Sequence, residues 1–208
     1  MEDPSNVKHL HIYIFHAPLP DGEDASEAYA LRASKLITEN ANTTVAFFGS
    51  LTPEGGPLWD DAATKIINDE QAINVYLFLI SCSADGSVDR SVRKVMRNLK
   101  DKSAQLPKDG NQKAPLRNEY SVVLLGHARC ENSANQMKDT IFGTGRRFGK
   151  AMAVSSHFMS RPYVSNLEIQ VELTAPEDEF DPWLKKSFFV QETEVGCEEH
   201  AIEPRKEL

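Results

Sequence analysis

The stretch Val75-Tyr-Leu-Phe-Leu-Ile80 decides the fold, because it is a continuous apolar run bounded by Asn74 and Ser81. A strand whose side chains are all apolar is buried on both faces, and such strands lie inside parallel sheets that helices cover. Comparable strand-forming runs are Leu10-His-Ile-Tyr-Ile-Phe15 and Tyr120-Ser-Val-Val-Leu-Leu125. We expect all three strands to belong to one sheet.

Amphipathic helices are predicted between these strands. The first spans about 25–39, with an apolar stripe formed by Ala25, Ala28, Leu31 and Leu36. The alternation of strands and helices requires right-handed crossovers, and it predicts a three-layer α/β sandwich with a five-stranded parallel sheet in the order 2-1-3-4-5. The other predicted elements are strands at 43–48 and 167–173 (the latter at a sheet edge), helices at 58–68, 87–99, 132–151 (interrupted by two glycines) and 178–190, and a long surface loop at 100–118.

Length and charge restrict the classes of function. The chain has 208 residues and a formal net charge of −8, which suits one domain and argues against nucleic-acid binding unless a local basic face exists. Ten acidic side chains against four Lys or Arg occur between Pro176 and Leu208. We therefore expect one domain over 1–190, an acidic tail over 191–208, and a protein partner with a basic surface.

The sequence gives no indication of a membrane or secretory destination. Its apolar runs are too short to span a bilayer, and the start, Met1-Glu-Asp-Pro4, lacks the basic and apolar regions of a signal peptide. Three cysteines without CxxC spacing argue against disulfides and a zinc site. A cytoplasmic location with reduced thiols is the resulting expectation.

Ligands of open parallel sheets bind outside the carboxyl ends of the strands, where the strand order reverses. Three loops leave those ends in this chain, at 15–23, 81–89 and 126–133. A small-molecule site, if the protein has one, is expected there.

Two of these loops carry a family resemblance. The stretch from Leu77 to Val95, with Ser-Cys-Ser-Ala-Asp-Gly-Ser at its centre, resembles the third strand, loop and helix of flavodoxin-like domains. It is most similar to the FMN domain of the diflavin reductases, the cytochrome reductase and nitric oxide synthase group. Val122-Val-Leu-Leu-Gly-His-Ala-Arg-Cys-Glu131 is similar to the next strand and FMN loop of that family, and Glu179-Phe-Asp-Pro-Trp183 resembles its closing helix.

The resemblance covers roughly residues 8–190 and implies a flavodoxin-like fold with an FMN site in the three loops. The positions that match the family's FMN loops are Ala17, Asp21, Gly22, Ser83, Ala84, Gly86, Gly126, His127, Cys130 and Glu131.

The chain departs from the family pattern where that pattern contacts flavin. The family's phosphate loop is rich in hydroxyl and small residues, whereas Ala17–Ser26 is longer and contains two prolines and three acidic residues. At ~4 Å and an effective dielectric constant of ~20, each like-charge contact costs about 4 kcal/mol. The two aromatic residues that sandwich the flavin ring align with Ser83 and Cys130, which cannot stack. FMN is therefore possible as a cofactor but doubtful.

Other motifs point to no catalytic residue and no metal. Gly143–Lys150 has the wrong spacing for a nucleotide-binding loop, although Arg146, Arg147 and Lys150 could form a docking patch. Cys130, His127 and Glu131 could in principle pair a nucleophile with a base, but no orienting residue is evident. Further expectations are a buried Cys82, and His9 and His11 in contact with solvent.

Two functions remain open. The first is a flavodoxin-like module that has lost tight FMN binding and acts in protein interaction. The alternative is an FMN-dependent electron carrier related to the flavin domain of diflavin reductases, which would dock basic partners. No NADPH or FAD domain is expected beside the flavodoxin-like region, and oligomeric state is not predicted.

Overall fold

The computed structural model describes residues 9–19, 25–40, 42–52, 72–104, 118–127, 135–155, 158 and 162–189. Within these ranges the chain forms five strands and four helices. In chain order they are β1 (His9–Ala17), α1 (Ala25–Thr38), β2 (Thr43–Ser50), β3 (Ala72–Ser83), α2 (Arg90–Ala104), β4 (Glu119–His127), α3 (Asn135–Val154), β5 (Leu167–Gln170) and α4 (Phe180–Phe188).

The five strands form one sheet in the order β2-β1-β3-β4-β5, and every pairing is parallel. The predicted strand order and the flavodoxin-like fold class are therefore confirmed. The long central strand β3 pairs with β1 at Ile12–Val75 and with β4 at Phe78–Val122. Its apolar run is fully buried, as expected for a strand with helices on both faces.

Alternate residues of the central strands point into two separate cores. Phe78 and Cys82 belong to the core under α2 and α3, whereas Leu77 and Leu79 belong to the core under α1 and α4. The burial of Cys82 agrees with the sequence-based expectation. None of the helices formed by the described residues combines the length and the hydropathy that a transmembrane span requires.

The predicted inner face of α1 is correct for Ala25 and Leu36, which pack against the core, and wrong for the other two residues. Leu31 is 55% exposed, and Ala28 also faces solvent. The small residues Ala30 and Ala33 are completely buried, which lets α1 lie close to the sheet. The apolar stripe of the helix is instead Tyr29, Ala30, Ala33 and Ile37.

Several helix boundaries also differ from the predictions. Helix α2 begins at Arg90 rather than Ser87, because the Asp89 carboxylate accepts a hydrogen bond from the backbone N–H of Ser91 at 2.7 Å and caps the helix. It continues to Ala104, so the surface loop predicted from residue 100 is wrong over 100–104. Residues 105–117 of that loop and the helix predicted at 58–68 lie outside the described residues.

Helix α3 and strand β5 also differ from the predictions. Helix α3 runs without a break through Gly143 and Gly145. Strand β5 has only four residues, because the N–H groups of Leu173 and Thr174 turn back to the carbonyl oxygen of Gln170, each at 3.0 Å. This early end places residues 171–174 beside the carboxyl ends of the other strands.

Candidate functional site

The carboxyl edge of the sheet brings together most of the described positions that the sequence indicated. Ser83 and His127 are register partners at the ends of β3 and β4, and Ala17 ends β1. Asp21, Gly22, Cys130 and Glu131 lie outside the described residues. The positions that the structure describes are Ala17, Ser83, Ala84, Gly86, Gly126 and His127.

The loop between β3 and α2 is closed by its own hydrogen bonds. The Ser83 hydroxyl lies 2.6 Å from the Ser87 hydroxyl and donates to the Asp85 carboxylate. The backbone N–H of Ser87 donates to Asp85 Oδ1 at 2.9 Å, and the N–H of Gly86 donates to the Ser83 carbonyl at 2.8 Å. Both serine hydroxyls, the Asp85 carboxylate and the N–H groups of Gly86 and Ser87 thus already bond within the loop.

Asp85 brings a negative charge to this loop. Its carboxylate accepts hydrogen bonds from the Ser83 hydroxyl and from the N–H and hydroxyl of Ser87, which together lower its pKa to about 2. The side chain faces solvent, and because of this low pKa it is ionised at neutral pH. A bound anion at this loop would meet that charge.

The two glycines of the predicted site lie against helix α3. Gly86 has a φ of 78°, and a Cβ added there would overlap the carbonyl oxygen of Thr140. A Cβ on Gly126 would lie 2.8 Å from the Phe142 ring and 2.9 Å from the Ile141 side chain. Both glycines are therefore required for close packing of α3 on the loop and the sheet.

His127 makes contacts that the sequence did not predict. Its Nε2 lies 3.2 Å from the Ser81 hydroxyl, and its Nδ1 lies 3.7 Å from Glu172 Oε1. The order hydroxyl, imidazole, carboxylate matches that of serine hydrolases. Ser81, however, is completely buried, so a substrate would not reach its hydroxyl. His127 is the only described residue of the predicted Cys130–His127–Glu131 group. Its contacts connect β3, β4 and the segment after β5.

No local signal in the sequence pointed to Glu172. It lies 45 residues after His127, and the two meet only because β4 and β5 are neighbours. The predicted strand order placed the strand at 167–173 beside the strand at 120–125, but it did not predict the turn after Gln170 that brings Glu172 to His127.

The predicted basic patch divides into two parts. Arg146 donates to Glu168 through Nε at 2.6 Å and through Nη2 at 2.7 Å, and it also pairs with Asp139. These bonds raise its guanidinium pKa above the ordinary value and use its charge within the fold. Arg147 and Lys150 lie instead in a groove between α2 and α3.

The sheet order and the two helical layers define the class of protein as a flavodoxin-like α/β fold. The chain matches no described protein family and no curated protein. Among solved structures it is similar to a cysteine-to-alanine mutant of flavodoxin from Pseudomonas aeruginosa. The two share 17% identity with a TM-score of 0.49, over 85% of this chain and 95% of the other.

Proposed function

We propose that this chain is a flavodoxin-like interaction domain that does not bind FMN tightly. The observation that carries this proposal is the closed loop from Ser83 to Ser87, in which side chains and backbone satisfy one another. A loop that must first break these bonds offers its N–H groups to a ligand only at a cost in free energy.

The described residues fit FMN poorly for a second reason. Ser83 has the position at which the related family stacks an aromatic ring, and a hydroxymethyl group gives no comparable contact. Stacking typically contributes about 1 kcal/mol per aromatic pair beyond area burial. Asp85 adds an ionised carboxylate to the same loop. Ring binding and anion binding are thus both disfavoured by residues that the structure describes.

The glycines of the loops support the same reading. The space beside Gly86 and Gly126 is filled by Thr140, Ile141 and Phe142 of α3, so the lack of a side chain serves helix packing. Their presence in the sequence is therefore explained without a bound flavin.

The test is the visible absorbance of the purified protein and a titration with FMN. We expect a colourless protein, and FMN should keep its free fluorescence at micromolar protein concentrations. Restoring the site should need changes in at least two loops, for example Ser83→Tyr with Cys130→Tyr and a replaced segment from Ala17 to Asp24. A yellow protein with stoichiometric FMN would overturn the proposal and favour the FMN electron carrier.

The interaction half of the proposal is supported by acidic residues close to the same edge. Glu177, Asp178 and Glu179 are exposed in the segment between β5 and α4. Opposite charges attract a basic partner over about a Debye length, ~8 Å at physiological ionic strength. We infer a partner with a basic surface, as the excess of acidic residues after Pro176 also indicates.

A deca-lysine peptide is a suitable probe for this surface. We expect its affinity to fall as salt rises, and to fall at low salt in Asp178→Lys/Glu179→Lys and in a chain ending at Val190. Glu39→Lys, an exposed acid at the end of α1, is the control and should change affinity less. Salt-independent binding that ignores both the truncation and the substitutions would contradict the acidic docking surface.

A further inference from the structure

The outer faces of α2 and α3 form a groove of about 510 Å³ that is unusually rich in cations. We call it the basic groove. Five of its eight lining residues are Arg or Lys, in a chain whose net charge is −8. The cations are Arg93, Arg97, Lys100, Arg147 and Lys150, and the remaining lining residues are Met96, Ala151 and Val154.

Helical spacing explains why these residues share one groove. Arg93, Arg97 and Lys100 are spaced i, i+4 and i+7 and so form one row along α2. Arg147 and Lys150 begin a similar row along α3. Two rows on neighbouring helices make a continuous channel, and seven residues at 1.5 Å per residue give it a length of about 10 Å.

The cations of the basic groove form no ion pairs with carboxylates of the residues that the structure describes. Over the described ranges, none of its five cations forms an ion pair within 4 Å, whereas Arg146 on the adjacent face of α3 is bonded to Glu168 and Asp139. Asp89 acts on Arg93 electrostatically, without such a pair. Five like charges lining one groove repel one another, and an acidic ligand would relieve that repulsion.

The apolar residues of the groove indicate the kind of ligand. Val154 is 73% exposed and Met96 is partly exposed, so these two residues supply apolar surface among the cations, whereas Ala151 is buried. A nucleic-acid backbone would satisfy the charges but leave this apolar surface uncovered. A protein segment with carboxylates on its flanks and aliphatic side chains between them would satisfy both.

We propose that the basic groove docks an acidic amphipathic helix of a partner protein. A helix lies along a channel between two helices by fitting its side-chain ridges between theirs, and about two turns match the length of this one. The inference rests on the interaction role proposed above and names a second partner chemistry. The basic groove lies on α2 and α3, on the other face of the sheet from α4 and the acidic segment, residues 177–179.

The probe is a fluorescent 15-residue helical peptide with Leu at i, i+4 and i+7 and Glu on both flanks. Fluorescence anisotropy should show micromolar binding to the full chain that weakens with salt. Arg97→Glu/Arg147→Glu should weaken binding at least 10-fold and remove most of the salt dependence. Val154→Gln, which changes a largely exposed side chain, should weaken binding about 3-fold with the salt dependence intact.

Lys35→Glu/Lys185→Glu is the matched control, because it makes the same change in net charge on α1 and α4, across the sheet. It should bind the peptide within 2-fold of the wild type. Circular dichroism and thermal unfolding confirm that each variant is folded. A yellow, FMN-loaded protein would overturn the proposed function and leave this measurement unaffected.

Four results would overturn the docking proposal. The first is the absence of peptide binding at millimolar concentration. The second is equal weakening by the groove variant and the control. The third is that a 15-nucleotide single-stranded nucleic acid binds the protein more tightly than the peptide does, and that Arg97→Glu/Arg147→Glu weakens this binding as much as it weakens peptide binding. That result would assign the groove to nucleic acid. A peptide with Gln in place of Leu should bind more weakly, and equal binding would also count against the proposal.

Discussion

Arg32 of α1 and Asp181 of α4 form a two-pronged ion pair in which Nε donates to Oδ1 and Nη2 donates to Oδ2, both at 2.6 Å. The two residues are 149 positions apart in the chain. Their pairing joins the first and last described helices on one face of the sheet. Arg32 Nη2 also lies 2.7 Å from a carboxylate oxygen of Glu177, so Arg32, Asp181 and Glu177 form one ion-pair cluster.

Removing the charge of Asp181 should weaken the contact between α1 and α4. We expect Asp181→Asn to lower the free energy of unfolding by about 1–2 kcal/mol, because the pair is partly buried and its hydrogen bonds are charge-assisted. Asp178→Asn, an exposed acid without an ion pair to any described residue, is the control and should change stability by less than about 0.5 kcal/mol. Urea unfolding at pH 7 measures both. Equal losses in the two variants would contradict the assigned role.

The same pair predicts a pH dependence. Hydrogen bonds from Arg32 hold the pKa of Asp181 below its usual value. A carboxyl group with a lowered folded pKa stabilises the protein above its unfolded pKa of about 4, and that contribution is lost as the pH falls through the folded value. The stability difference between wild type and Asp181→Asn should be constant above about pH 5 and shrink below pH 4.

The sheet could be predicted from the sequence because its strands are uninterrupted apolar runs. Val75–Ile80 has no polar residue that could face water, so its central position follows directly. The inner face of helix α1 could not be predicted in the same way. Either Leu31 or Ala33 could face the sheet, and hydrophobicity alone favours the larger side chain. Because α1 lies close to the sheet, only a small side chain such as alanine fits between them. The distance between helix and sheet depends on tertiary packing and cannot be inferred from the helix sequence alone.

The location of the candidate site could be predicted from the sequence, but the hydrogen bonds within it could not. The family resemblance indicated Ser83 and Gly86, but no pattern in the sequence indicated that Asp85 would accept hydrogen bonds from Ser83 and Ser87. The basic groove shows the same limit. The spacing of Arg93, Arg97 and Lys100 is visible in the sequence, yet only the packing of α2 beside α3 unites them with Arg147.

The pKa of Asp85 should respond to Ser83 more than to the Ser87 hydroxyl. The largest cause of its lowered pKa, about 2, is the hydrogen bond from the Ser83 side chain. Ser83→Ala should raise the pKa clearly toward the ordinary carboxyl value. Ser87→Ala keeps the backbone N–H donor and should raise it less. Carboxyl-carbon NMR titration measures the value, and a wild-type pKa near 4 would show that the loop is not closed in solution.

Cys82 should be unreactive in the folded protein. Its side chain is completely buried, and burial raises the thiol pKa to about 12. We expect a Cys130→Ser/Cys197→Ser variant, which keeps Cys82 alone, to resist iodoacetamide at pH 8 and to be alkylated fully in urea. A single added cysteine at Ser50, an exposed residue at the end of β2, serves as the reactive control. Fast labelling of Cys82 without denaturant would contradict its position under α3.

Gly86 and Gly143 should respond to alanine in opposite directions. At Gly86 the backbone has a φ of 78°, which costs an L-residue about 1–2 kcal/mol, and the added methyl group would overlap the Thr140 carbonyl. We expect Gly86→Ala to lower the free energy of unfolding by more than about 2 kcal/mol. At Gly143, inside α3, nothing lies within 4 Å of an added Cβ. Gly143→Ala should therefore raise stability by about 0.5–1 kcal/mol through helix propensity. Urea midpoints measure both changes, and a Gly86→Ala protein as stable as the wild type would mean that α3 does not close over the β3–α2 loop.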